Sequence, residues 1–85
     1  MKRIVSLAVA KNILNQGGVL VYKPYHQQVT YLSLNNKMQL TLFNDNVRYH
    51  IDDNELNDII NQNHVFEYEK TNEIEINQEF KKLIQ

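Results

Sequence analysis

The sequence contains no cysteine and no tryptophan, only one proline, two glycines and two alanines. Without cysteine there are no disulfides, no thiolate metal sites and no cysteine nucleophile. A small exported domain commonly relies on disulfides, so a reducing cytoplasm is the expected location. Long hydrophobic runs are also missing. Lys2 and Arg3 precede an apolar run, Ile4–Ala10, which Lys11 ends at the minimum length of a signal core. No stretch approaches the ~18 apolar residues of a membrane span. Neither export nor membrane insertion is expected.

Acidic side chains are absent from the first half. Residues 1–44 carry Lys2, Arg3, Lys11, Lys23 and Lys37 and no Asp or Glu. Residues 45–85 carry all ten acidic residues against Arg48, Lys70, Lys81 and Lys82. Charge therefore divides as +5 and −6 around a net of −1. Such a division gives two faces of opposite sign, or two halves that lie together and neutralise one another. What is abundant is amide: twelve Asn and seven Gln, dispersed rather than in a tract.

Apolar residues recur with clear periods, so a folded chain is expected. Eighty-five residues suffice for a single domain, 1–85. Residues 3–16 read as a helix ended by Gly17-Gly18. This helix carries two apolar stripes, Ile4/Leu7/Leu14 and Val5/Val9/Ile13, on nearly opposite sides. One stripe needs the sheet. The other needs a second helix of the chain or a second copy, which makes helix 3–16 a candidate homodimer contact.

Residues 19–22, 29–34, 38–43 and 47–51 read as strands, separated by Pro24 with its polar neighbours, by Asn35-Asn36-Lys37 and by Asn44-Asp45-Asn46. The turn Asn35-Asn36-Lys37 is expected because Asn tolerates positive φ. Alternation places Leu32, Leu34, Met38, Leu40, Leu42, Val47, Tyr49 and Ile51 on the core face. Tyr31, Ser33, Gln39, Thr41, Phe43, Arg48 and His50 fall on the other. Asp52 and Glu55 stand in capping-box spacing, with Ile51 and Leu56 as a hydrophobic staple, so a helix over 53–62 follows. A strand over 64–69, a short strand over 73–76 and a last helix after Asn77, with Phe80, Leu83 and Ile84, complete the reading. The expected fold is α+β. A four- to five-stranded, mainly antiparallel meander packs on the N-terminal helix, with a short middle helix and a C-terminal helix.

The candidate chemistry is sparse. His26, His50 and His64 share no metal-ligand spacing, and His50 with Asp52 is a single pair. Asp52-Asp53 is explained by capping. Glu67/Glu69 and Glu73/Glu75 point to a solvated strand face. The glycine pair follows a helix, whereas phosphate loops precede one. No enzyme, metal or cofactor is expected.

The leading expectation is a non-enzymatic protein-binding module. In class it would be a small phage or mobile-element accessory protein that inhibits a host or defence protein by steric occlusion. Its contact residues would be Tyr25, Tyr31, Phe43, Arg48 and His50, with Asp53 supplying electrostatic steering. One alternative is a small nucleic-acid-binding or regulatory domain, in which Tyr31 and Phe43 stack on bases and Arg48, Lys37 and Lys23 meet phosphates. Another is an oligomer that sequesters a nucleotide.

Overall fold

The structure is a computed structural model and describes residues 2–24, 27–45 and 47–69. Tyr25, His26 and the expected 73–76 strand and C-terminal helix lie outside those residues.

The chain enters in extended form. Ile4 bridges Val65 in antiparallel fashion, its N–H donating to the Val65 carbonyl at 2.8 Å. Helix α1 spans Leu7–Asn15 and starts four residues later than predicted. Ser6 sets the start: its hydroxyl accepts the Val9 N–H at 3.2 Å, one of the donors a helix start leaves without an intrahelical partner. The end matches the glycine signal. The Gly17 N–H donates to Leu14 and the Gly18 N–H to Ile13, a Schellman closure with Gly17 at φ 85°. Gly18 is constrained differently, because an added Cβ would lie 2.8 Å from the Ile13 carbonyl oxygen and 2.6 Å from its Cγ2. Gly18→Ala is therefore expected to destabilise the fold by about 1–3 kcal/mol, read as a lower urea midpoint.

Five strands follow from the alternating segments: β1 (Val19–Tyr22), β2 (Thr30–Leu34), β3 (Leu40–Phe43), β4 (Arg48–His50) and β5 (Phe66–Tyr68). All pairings are antiparallel and the order is β4-β3-β2-β1-β5. The first four strands form the predicted meander. β5 breaks it, because helix α2 (Asp53–Gln62) carries the chain from one sheet edge to the other.

The Asp52 carboxylate accepts the Glu55 N–H at 2.8 Å and fixes the start of α2 where the sequence placed it. Replacing Asp52 with Ala is expected to cost about 1 kcal/mol, measured as a loss of urea stability with unchanged helix content in the native baseline. The two helices meet through an ion pair, Lys11 Nζ to Asp53 Oδ2 at 2.7 Å. Arg3 also donates to the Asn63 carbonyl, at the C-terminal end of α2, at 3.1 Å. One cation of the first half thus meets one carboxylate of the second at this seam.

Cross-strand register fixes two faces. Leu20, Leu32 and Leu42 stand side by side beneath the helices. With Leu14, Leu56, Ile60 and Val65 they belong to one buried core. Of the predicted core face, Leu32, Leu42 and Ile51 are buried and Leu34 and Leu40 pack against them. Met38, Val47 and Tyr49 are exposed instead. Met38 sits outside the ladder at φ 61°. The turn is held by the Asn35 side chain, which accepts the Lys37 and Gln39 N–H groups, each at 2.9 Å, so the positive φ falls on Met38 and not on an asparagine. Val47 and Tyr49 belong to the sheet margin, beyond which no neighbouring strand lies among the described residues. The second predicted stripe of helix 3–16 divides, with Val5 in the extended entry before α1 and Val9 and Ile13 on the helix. Ile13 packs on the core while Val5 and Val9 stay exposed, so neither the sheet nor α2 encloses it.

Tyr22 is the large polar exception in the core. Burial, and secondly the charge Tyr49 would carry, push its hydroxyl up from 10.0 to about 12. The folded chain holds the proton more tightly than the unfolded chain. This contribution to stability is complete below about pH 10 and is lost as pH rises toward about 12. A Tyr22→Phe chain is expected to lose less stability across that window than the unaltered chain, measured as urea midpoints against pH.

Candidate contact surface on the outer sheet face

The face turned away from both helices is organised by one registered row that crosses all five strands. Val21 pairs with Tyr31 and Phe66. Tyr31 pairs with Phe43, and Phe43 with Arg48. Because cross-strand partners share a face, these residues form one band across the sheet. Tyr31 and Phe43 stack with ring centroids 5.5 Å apart and planes 23° apart. Tyr68 meets Tyr31 edge-on at 5.4 Å and 79°. The Arg48 guanidinium lies 5.6 Å from the Phe43 ring centre, within cation–π range.

Exposure grades across this band. Val21 and Phe66 are buried at 0% and 3%, and Val29, Tyr31 and Tyr68 pack on them half-buried. Phe43 is half-buried, and β4 is exposed along its whole length. The solvent-facing part is therefore the β3–β4 margin. There His50 Nδ1 lies 3.2 Å from the Thr41 hydroxyl.

The six sequence-derived contact residues do not share one place. Tyr31, Phe43 and Arg48 come together as described, and His50 lies on the same face one ladder row further on. Tyr25 lies outside the described residues. Asp53 stands on α2 and is paired with Lys11, across the sheet from the aromatic band. Tyr68, Val21 and Phe66 were missed. The alternation of Phe66-Glu67-Tyr68 gave their common face, but nothing local indicated that β5 would pair with β1.

Lys37 and Arg48 do not stand together as shared phosphate contacts require. Lys37 occupies the exposed β2–β3 turn, beyond the Leu34–Leu40 row, whereas Arg48 stands beside Phe43 at the other end of the strand pair. On α2, Asp53, Glu55 and Asp58 are exposed. Among the described residues no three His, Asp or Glu side chains form a metal-ligating group, and no helix is long and apolar enough to cross a membrane. No protein-family model matches the sequence, and no curated protein or solved structure matches it.

Proposed function

We propose that the chain is a non-enzymatic protein-binding module that acts by occluding a partner through the β3–β4 margin of its outer sheet face. One observation carries this reading. Arg48, exposed on an edge strand, is poised over Phe43, which in turn stacks on Tyr31. Aromatic and arginine side chains dominate binding energy at protein interfaces, because they bring large contact area and directional donors at low entropic cost. Here the aromatic platform is already ordered by its neighbours, so little side-chain freedom remains to be lost on binding.

A protein partner fits better than a nucleic acid. Oligonucleotide binding draws its affinity from several phosphate contacts. The open margin offers one permanent cation, Arg48, among the described residues, and the acidic residues Asp45 and Asp52 follow the chain at either end of β4.

The test is capture from nuclease-treated lysate with the chain and its Arg48→Glu variant as baits, at low and high salt. The expected result is a protein retained at both salt concentrations by the unaltered chain and lost from the variant. Retention by both baits, or a captured species that disappears with nuclease, overturns the reading.

A further inference from the structure

Among the described residues no strand pairs with the outer edge of β4, and that edge has a defined backbone polarity. The Ile51 N–H donates to the Leu40 carbonyl at 3.0 Å, and the Val47 carbonyl accepts the Asn44 N–H at 3.0 Å. In an antiparallel ladder the peptide groups of successive residues point alternately to the two sides. Val47, Tyr49 and Ile51 therefore address β3. Arg48 and His50 turn their N–H and C=O groups outward, where no further strand lies among the described residues. Two donors and two acceptors stand in line, spaced for one added strand.

The side chains give that strand a chemistry. On the outer face it would run beside Arg48 and His50. Among the described residues the Arg48 guanidinium meets no carboxylate, only the Phe43 ring. On the inner face it would meet Tyr49, which is 50% exposed and carries an apolar ring. Edge strands that must remain single are blunted with lysine, proline or a bulge. β4 has no lysine and no proline; its protections are its shortness and the Arg48 charge, which an acidic segment would neutralise.

We propose that β4 accepts an extended segment of a protein partner by antiparallel strand addition, with carboxylates at two alternate positions and an apolar residue between them. The carboxylates face Arg48 and His50, and the apolar residue covers Tyr49. Backbone pairing supplies affinity, and the alternate side chains supply selectivity. Asp45 and Asp52, beyond the two ends of β4, disfavour further acidic positions and limit the motif to this pair. A second copy of β4 is a poorer occupant, since antiparallel self-pairing centred on Tyr49 places Arg48 against His50 and brings no carboxylate. This assignment rests on the outer-face reading above and adds the chemistry of the partner to it.

The experiment is a titration of the full-length, isotope-labelled chain with two blocked five-residue peptides, Thr-Glu-Ile-Glu-Thr and Thr-Lys-Ile-Lys-Thr, followed by amide shifts and hydrogen exchange. The expected result is binding of the Glu peptide at least about tenfold tighter than the Lys peptide. The Arg48 and His50 amides should be slowed while that of Tyr49 is unchanged. Equal affinity for both peptides overturns the charge assignment. Binding without protection of these two amides overturns strand addition and leaves the Arg48→Glu capture result standing. Concentration-dependent protection in the chain alone assigns the edge to a second copy and also overturns the proposal.

Discussion

A Leu32→Ala chain is expected to lose about 2–5 kcal/mol of stability. Leu32 occupies the middle of the sheet's inner face, flanked by Leu20 on β1 and Leu42 on β3, and is wholly excluded from solvent. Truncation removes apolar contacts and leaves a cavity that the neighbouring strands, tied by their ladders, close only in part. The loss is large relative to the whole. At about 0.05–0.15 kcal/mol per residue, a domain of this length holds roughly 4–13 kcal/mol. The unfolding midpoint in urea should fall steeply with little change in slope. Val5→Ala is the matched control. Val5 is 72% exposed, and its truncation should shift stability by no more than about 0.5 kcal/mol. Equal effects at the two positions would mean that the inner face is misassigned.

The second large effect is on binding. Phe43→Ala is expected to weaken partner affinity by about 2 kcal/mol or more, roughly thirtyfold. Phe43 supports both Tyr31, stacked at 5.5 Å, and Arg48, over its ring at 5.6 Å. Its removal takes away contact area and leaves the guanidinium without its platform. Arg48→Lys should fall between the unaltered chain and Phe43→Ala, because an ammonium keeps the charge and loses the planar stack. Stability should separate the two residues. Arg48 is exposed on an edge strand, so its substitution should move the urea midpoint little, whereas Phe43 packs within the band and its loss should be felt. Affinity is therefore to be compared among variants at temperatures where each remains folded.

The elements were legible wherever the signal was local. α2 followed from Asp52, Glu55 and the Ile51/Leu56 staple, and its bounds agree with the sequence reading. The inner and outer faces of β2 and β3 followed from a period of two, which no neighbouring element had to supply. Non-local facts were not legible. The position of β5 depends on α2 crossing the sheet and on Ile4 meeting Val65 sixty-one positions away. The late start of α1 was written in Ser6, but the apolar run around it masked the cap. Tyr49 obeyed the alternation and is nonetheless exposed, because alternation assigns a face and cannot say how far the covering helices extend, whereas Met38 left the alternation by falling in the turn at φ 61°.

The candidate surface shows the same division. Tyr31, Phe43 and Arg48 were found because one ladder row joins three consecutive strands of a meander. Tyr68 was missed because it enters the band through β5 and β1. Asp53 was included on charge alone. Its ion pair with Lys11 places it between the two helices, on the opposite side of the sheet from the aromatic band. A surface pair of this kind contributes about 0–1 kcal/mol to folding, and it gives Asp53 a structural use apart from any partner.

The most direct measurement is partner affinity for two single substitutions of exposed charged residues on opposite sides of the sheet, Arg48→Glu and Asp53→Ala. The account predicts that Arg48→Glu weakens binding by roughly thirtyfold or more, while Asp53→Ala leaves it within about twofold. Loss of binding in Asp53→Ala with Arg48→Glu unaffected would place the contact on the helix side and contradict the account.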